Sequence, residues 1–241
     1  MNDLSGKVTV ITGGVRGIGA AIALKFQELG ACVTVTGRSP IAPDLPENIK
    51  YLSVDFSNKK SISRFLKKIE NTKNIAILIN NAGINRIYRF IEFPYKDFNE
   101  ISEVNYKVPY MLMQSAARAM IRDGIAGRII NIGSIWATHT KDGRTAYCGS
   151  KAGLVGLTRA VATDLAKYGI LVNAVSPGFV ETDLTSSTLS AEEMKALGRQ
   201  IPLGRMAKPS EIANIVAMLA SESNTYITGQ NIIVDGGFTN V

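Results

Sequence analysis

A tyrosine and a lysine stand four residues apart in the stretch AYCGSKAG, as Tyr147 and Lys151. On an α-helix that spacing puts both side chains on one face, with Cβ atoms roughly 5 to 6 Å apart, so a phenol and an ammonium can point into one site. A free phenol titrates near ~10, and a cation a few ångströms away favours the phenolate, lowering that value by about 1 to 3 units. A tyrosine so placed donates and accepts a proton near neutral pH. A helix is expected here: in LVGLTRAVATDLAKYG, Leu154, Leu157, Val161 and Leu165 recur at helical spacing and Gly169 supplies a stop. Many helices carry a Tyr and a Lys at this spacing with no chemistry attached, so the surrounding elements decide.

Those elements alternate. KVTVIT leads into GIGAAIALKFQELG, CVTVTG comes next, then SISRFLKKIEN and IAILINNAG. Further on, GRIINIGS precedes the Tyr147 helix, ILVNAVSPG comes after it, and NIIVDGG lies near the end. Short Val/Ile-rich runs between helices are strands buried on both faces, hence a parallel sheet. The expected fold is α/β: a single domain over residues 1–241 with a Rossmann-type, doubly wound parallel sheet and helices on both faces. SPIAPDLPEN is proline-rich and short, so it reads as a loop.

In such sheets a ligand sits at the carboxyl ends of the strands, so the residues just after the apolar runs carry the information. TGGVRGIG, Thr12 to Gly19, joins the first strand to the first helix. Its glycines allow a tight turn and let backbone approach a pyrophosphate, whose charge the helix N-terminus holds. The TGxxxGxG spacing differs from the commoner GxGxxG, but the strand and helix context is met. Dinucleotide sites for NAD place an acidic residue about 20 positions further on, for the ribose hydroxyls. Here the second strand ends in Gly37, Arg38 and Ser39 with no carboxylate. Arg38, with Arg16 from the glycine loop, can instead grip a 2′-phosphate through a guanidinium fork, so NADP(H) is expected over NAD(H).

Composition narrows the class. The chain has 241 residues, 46% hydrophobic and 20% charged, enough for one large α/β core. No apolar run is long enough to span a membrane and MNDLSGK opens onto a strand pattern, so a soluble cytoplasmic protein is expected. Cys32 and Cys148 read as reduced thiols, and no Cys/His spacing suggests a metal. The lone His139 makes a Ser/His/Asp site a poor reading. A net charge of +7 suits a phosphorylated ligand or an acidic partner. The cations are scattered apart from pieces such as NKKSISRFLKKIE, one polar helix face, which argues against nucleic acid.

Thr12 to Gly19, NNAG at Asn80 to Gly83, Asn105, Ser134 and the YxxxK of Tyr147 and Lys151, in this order, resemble the short-chain dehydrogenase/reductase family. The resemblance runs from about Lys7 to Gly237. SPGFVETDLT, IPLGRMAKPSEIANIVAMLAS and YITGQNIIVDGG look most like the 3-oxoacyl-acyl-carrier-protein reductase group, although many sugar, polyol and alcohol dehydrogenases share these phrases.

The resemblance implies roles. Tyr147 passes a proton to a carbonyl oxygen as hydride arrives from a nicotinamide, Lys151 binds the nicotinamide ribose and lowers the Tyr147 pKa, and Ser134 hydrogen-bonds the substrate oxygen. Asn105 shapes a helix bend and holds a water in a proton relay through Lys151. It also implies cofactor contacts from Thr12, Gly13, Gly17, Ile18 and Gly19, from Asp55 and Phe56 at the adenine, and from Asn81, Ala82 and Gly83 beside its ribose. Pro177, Gly178, Val180 and Thr182 match the nicotinamide loop. "NNAG" equally reads as a brace for the central strand, Asp55 as a helix cap and Gly178 as a turn residue.

The substrate pocket is expected to draw on Asn85, on SIWATHTKDGR with Trp136 and His139, and on TSSTLSAEEMKALGRQ, which reads as a mobile lid at about 183–205. Either an acyl-carrier-protein-bound 3-oxoacyl group or a small sugar, polyol or keto metabolite fits these residues, and a non-catalytic NADP(H) binder would have no need of Ser134, Tyr147 and Lys151 together. Ala152, Gly153, Gly156 and Ala160 let a second helix approach closely, and the family resemblance implies a homotetramer.

Overall fold

The computed structural model describes residues 3–182 and 190–241. Seven strands, all parallel, form one sheet: β1 (Val8–Ile11), β2 (Cys32–Gly37), β3 (Lys50–Ser53), β4 (Ile75–Asn80), β5 (Arg128–Ile132), β6 (Leu171–Pro177) and β7 (Asn231–Val234). Their order is β3-β2-β1-β4-β5-β6-β7. The order reverses between β1 and β4, which opens a crevice at their carboxyl ends. The fold expectation from the sequence therefore holds.

Two apolar layers cover the sheet. Against one face lie α1 (Gly17–Glu28) and a late helix, Pro209–Ala220, with Ile22, Phe26, Ile212 and Val216 buried on Ile11, Val35 and Ile79. The other face is covered by α2 (Lys59–Asn71), α4 (Val108–Arg122) and α5 (Thr145–Leu165). In α2 the buried residues are Ile62, Phe65 and Ile69, at helical spacing, and the lysines are turned outward, as its one-sided pattern requires. Asn58 caps α2 by accepting from the N–H groups of Lys60 and Ser61. A short helix α3 (Tyr95–Ser102) runs through a π turn at Glu103–Lys107 into α4. Among the described residues two further helices follow, α6 (Ala191–Gly198) and α7 (Pro209–Ala220), the latter being the late helix beside α1.

A polar ladder crosses the buried centre. Asn80 Nδ2 donates to Asn131 Oδ1 at 2.8 Å, and Asn131 Nδ2 donates to the Thr158 hydroxyl at 2.9 Å. All three side chains are buried, so each bond made here is worth more than at the surface, and losing one would strand its partner. The ladder pins α5 at a defined height over β4 and β5, which fixes where Tyr147 and Lys151 emerge. Of the small residues on α5, Ala152, Gly156 and Ala160 are exposed on one stripe. Gly153 is not on it: a Cβ there would meet the Tyr106 ring at 2.9 Å, so this glycine serves the contact with the π turn.

Candidate active site

The crevice at the switch point is a groove of about 720 Å³. Its floor is the turn from β1 into α1. Gly17 has φ +54 there, a region that L side chains rarely adopt, and a Cβ on Gly19 would lie 2.2 Å from the Gly13 carbonyl oxygen. The turn is braced from both sides. Gly13 N–H donates to the Thr36 hydroxyl at 3.1 Å, and Asn81 Nδ2 donates to the carbonyls of Thr12 and Gly13 at 3.0 and 2.9 Å. The Thr12 hydroxyl accepts the N–H groups of Asn81 and Ala82, both at 3.0 Å. Thr12 is buried and does not line the groove, so its contribution is to hold the turn.

The start of α1 has no capping side chain and no acid in its first turn. Its first N–H groups, from Gly17, Ile18 and Gly19, have no intrahelical acceptor and face the groove, which makes an anion site. Arg16, Arg38 and Ser39 lie on the same wall and are exposed. Among the described residues no carboxylate pairs with either arginine. Asp55, Phe56, Ala82 and Gly83 line the far side, with Thr182 at the mouth. Asp55 is held below the usual carboxylate range by hydrogen bonds from the Ser57 N–H and hydroxyl, with a small contribution from the Arg38 charge. It is not the cap of α2, which is Asn58. A long groove with an uncapped helix start at its middle and two free guanidinium groups at one end fits a dinucleotide with an extra phosphate.

Pro177, Gly178 and Val180 leave the end of β6 without lining this groove. Gly178 packs on β7: its N–H donates to Val234 O at 2.9 Å, and a Cβ there would lie 2.7 Å from that of Asp235. Val180 is buried and bridges to Ala207. Their direct effect is to set the path of the chain toward Thr182. Sequence reasoning missed Thr36 and Ser57, which line the groove beside expected residues and whose hydroxyls brace the glycine turn and Asp55 respectively. A hydroxyl at the end of β2 was the available signal.

Beyond Gly83 the second set of residues converges. A Cβ on Gly83 would lie 3.4 Å from Asn105 Oδ1 and 3.6 Å from Lys151 Nζ, which places the ammonium directly behind the Gly83 wall of the groove. Lys151 is buried, and Nζ donates to Ile132 O at 2.7 Å. An ammonium has further donors, which point to a ligand with paired acceptors. The Tyr147 ring centroid lies 5.7 Å from that Nζ. Ser134 lies just past the end of β5; its Oγ accepts Trp136 N–H at 3.2 Å and its hydroxyl interacts with the Tyr147 phenol. Asn105 sits in the π turn and is fully buried. Its Oδ1 accepts Ile84 N–H and its Nδ2 donates to Ile84 O, both at 2.8 Å, and also to the Ser150 hydroxyl at 3.1 Å. The Asn105 amide is thus occupied in tying the loop after β4 to α5, a positioning part.

The protonation states correct one expectation. Burial pushes the Tyr147 phenol above its ordinary 10.0, opposed by the Ser134 hydrogen bond and the Arg144 charge, and Lys151 is not among the groups that lower it. Burial also pulls Lys151 down to about 8. The reason is desolvation: burial disfavours the phenolate by more than the Ser134 hydrogen bond and the Arg144 charge favour it, and burial likewise disfavours the ammonium. With the groove open, the pair therefore stands at neutral pH as a protonated phenol, ready to donate, beside an ammonium close to its own titration.

Among the outer pocket residues, Trp136 packs edge to face on Phe179 and Phe238, with centroids 6.2 and 6.5 Å away. Asn85 and His139 are exposed, His139 Nδ1 lying 3.1 Å from the Thr138 hydroxyl. The expected lid at 183–205 falls partly outside the described residues; the described part contains α6, capped by Ser190 and Glu193 in a reciprocal box. No group of His, Cys, Asp and Glu that can hold a metal ion occurs among the described residues.

A doubly wound sheet with a dinucleotide groove, and with Lys151, Tyr147 and Ser134 gathered behind its Gly83 wall without lining it, defines an oxidoreductase. The chain belongs to the short-chain dehydrogenase/reductase family. The family profile described as Enoyl-(Acyl carrier protein) reductase matches residues 13–239. The chain is 41% identical over 244 residues to the 3-oxoacyl-acyl-carrier-protein reductase FabG of Aquifex aeolicus, covering 97% of this chain and 98% of that protein. To the same-named reductase of Rickettsia bellii it is 39% identical, covering 98% of each. A solved structure of a putative NAD(P)-dependent gluconate 5-dehydrogenase from Beutenbergia cavernae, with bound NADP, superposes with a TM-score of 0.91 at 30% identity, over 100% of this chain and 99% of that one.

The Lys151 geometry has a consequence for stability. Between about 8 and 10.5 the unfolded chain still holds a proton at this lysine that the folded chain has released, so resistance to unfolding rises with pH across that window. Lys151→Met removes the buried charge. The variant should be the more stable near pH 7, and its advantage over wild type should shrink by a total on the order of 3 kcal/mol as pH approaches 10.5. Thermal melts of both proteins across that range check this; a gap that stays constant with pH contradicts a buried, desolvated ammonium.

Proposed function

We propose that the chain is an NADP(H)-dependent oxidoreductase that interconverts a carbonyl and a secondary alcohol, with a 3-oxoacyl group on acyl carrier protein as the substrate. One observation carries the reading: Ser134 and Tyr147 stand together with the Lys151 ammonium beside them, just behind Gly83, in the wall of a groove that also holds Arg16 and Arg38 with no carboxylate paired to either among the described residues. A nicotinamide bound in the groove supplies or accepts the hydride. The chain's own residues do the rest. Thr12, Asn81 and Thr36 hold the turn of Gly13, Gly17 and Gly19 open for the pyrophosphate, and the α1 N–H groups take its charge. Asp55 offers its second carboxylate oxygen to the adenine amino group, beside Phe56, Ala82 and Gly83. Lys151 Nζ donates to the nicotinamide ribose hydroxyls, and Thr182, at the mouth beyond Pro177, Gly178 and Val180, faces the carboxamide.

At the reacting end, Ser134 and Tyr147 both donate to the carbonyl oxygen, where negative charge develops. Tyr147 then yields its proton to that oxygen. The raised phenol pKa keeps the proton in place until the oxygen becomes basic, which favours reduction at neutral pH. Asn105 keeps the Ile84 loop and α5 in register, so that Gly83, Lys151 and Tyr147 stay aligned. Residues 183–205 act as the lid. The substrate assignment is supported by the two reductases of that name that resemble the chain over nearly their whole length, and by the net charge of +7, which suits an acidic carrier protein. No helix among the described residues is long and apolar enough to cross a membrane, in keeping with a cytoplasmic enzyme.

Three measurements test this reading. Tyr147→Phe keeps the ring and removes the proton, so NADPH binding should persist while reduction of acetoacetyl thioesters falls by about 10² to 10⁴-fold; most of the wild-type turnover surviving would overturn the mechanism. Arg38→Gln should weaken NADPH at least tenfold, about 1.4 kcal/mol, and leave NADH nearly unchanged; equal losses would remove the 2′-phosphate assignment. The exposed stripe of Ala152, Gly156 and Ala160 should pair with its copy in a homotetramer with mutually perpendicular two-fold axes. Light scattering that finds a monomer at micromolar concentration is the contrary result.

A further inference from the structure

The chain between Gly83 and α3 runs from the wall of the groove to the turn that starts α5, and it is fastened along its length. Ile84 is held by the Asn105 amide. Four residues on, the Tyr88 N–H donates to Gly143 O at 3.2 Å. Gly143 has φ +75, and a Cβ there would lie 2.7 Å from Ile87 Cγ2 and 3.4 Å from Tyr88 O, so the two stretches of backbone lie against each other with no room for a side chain. Two residues after Gly143, Thr145 opens α5, and Tyr147 stands in its first turn. Two side chains of the segment reach one acid on α3. Tyr88 Oη donates to Asp97 Oδ2 at 2.7 Å, and Arg86 Nη1 donates to Asp97 Oδ1 at 3.3 Å. Arg86 Nη2 also donates to Glu100 Oε2 at 2.6 Å. Asp97 is buried in the first turn of its helix, where free N–H groups favour a carboxylate. Phe93 packs edge to face on the Tyr88 ring, with centroids 5.1 Å apart. The hydrogen bond to Asp97 holds the Tyr88 phenol above its ordinary 10.0, so it remains a donor across the neutral range.

We propose that Asp97 is a positioning residue for the proton transfer: by gripping Tyr88 and Arg86 it fixes the segment against which the start of α5, and with it Tyr147, is seated. The inference rests on the reading of Tyr147 as the proton donor. Tyr147 is located from two directions. The Ser150 hydroxyl, which accepts from Asn105, donates to Tyr147 O at 2.8 Å and holds the residue from within the helix. The contact of Gly143 with Ile87 and Tyr88 holds it from the N-terminal side, and that contact is only as firm as the grip on Tyr88. A buried carboxylate with a short bond to a phenol and a charged bond to a guanidinium is a strong grip. Proton transfer is sensitive to it, because a displacement of about 1 Å can cost about 100-fold in rate. The glycine turn of the groove is instead braced by Thr12, Thr36 and Asn81, so cofactor binding does not depend on Asp97.

The test reads NADPH-dependent reduction of acetoacetyl coenzyme A, NADPH affinity, and hydrogen exchange at the Cys148 amide, which donates to Arg144 O in the first turn of α5. Asp97→Ala should lower kcat about 10- to 100-fold and Tyr88→Phe about tenfold, with the NADPH dissociation constant within about threefold of wild type. Asp97→Asn, whose amide oxygen still accepts from the phenol, should restore part of the loss. Made in Tyr147→Phe, where no phenol is left to position, the same changes should cost less than about twofold more, because two residues that act through one another are not additive. Exchange at Cys148 should quicken in Tyr88→Phe while the amides of α2 stay as they are. Tyr88→Phe removes a single oxygen and carries the test should Asp97→Ala fail to fold. Equal losses in the wild-type and Tyr147→Phe backgrounds, a kcat untouched by Tyr88→Phe, or NADPH affinity falling as far as kcat overturns the assignment. Most of the wild-type turnover surviving in Tyr147→Phe overturns the proton-donor reading instead; quickened exchange at Cys148 then still shows Asp97 holding that turn, and unchanged exchange overturns this as well.

Discussion

A lysine ammonium buried under the sheet's carboxyl edge is expensive to hold, and much of the surrounding architecture answers to it. Removing an ammonium from water costs several kcal/mol unless it is paired, and Lys151 has one protein acceptor in the described structure, the Ile132 carbonyl. Ile132 is the last residue of β5, so the strand must end at that height beneath α5. The residue before it, Asn131, anchors the helix through Thr158, two turns beyond Lys151, and anchors the neighbouring strand through Asn80. Two residues after Ile132 the chain delivers Ser134. One strand end thus supplies the acceptor for the cation, the tie that locates its helix, and the hydroxyl beside the phenol.

Asparagine does the joining wherever an element must be held without closing the groove. Asn81 fastens the glycine turn from the side of β4, and Asn105 fastens the loop after β4 from the side of the π turn. An amide that donates and accepts at once can pair with a backbone N–H and C=O in the manner of a strand partner. The site is therefore rigid at its glycines, where no side chain can brace it. That rigidity keeps Gly83, at the place a Cβ would occupy, within 4 Å of Asn105 Oδ1 and Lys151 Nζ.

The charges divide the groove by task. Uncapped N–H groups and two exposed arginines form the outer, phosphate-binding end, where screening by water limits each contact and several act together. Behind the Gly83 wall stand one buried ammonium and one phenol. There desolvation raises the phenol and lowers the lysine, so the phenol holds its proton more firmly than in water and the ammonium gives its proton up more readily.

The sequence by itself determined the alternation of buried strands and helices, the glycine turn, the missing acid after β2, and the Tyr147 and Lys151 pair, because each of these is a local pattern of residue type and spacing. It also pointed to Ser134 and Asn105, through their order along the chain. Only the tertiary structure decided what those residues touch. That Thr12 and Asn81 brace the turn, that the Asn105 amide is occupied by Ile84 and Ser150, and that Gly153 faces Tyr106 depend on elements distant in the chain meeting at particular heights. The direction of the Tyr147 pKa was illegible for the same reason: spacing shows that a cation is near, but desolvation depends on everything packed around both groups.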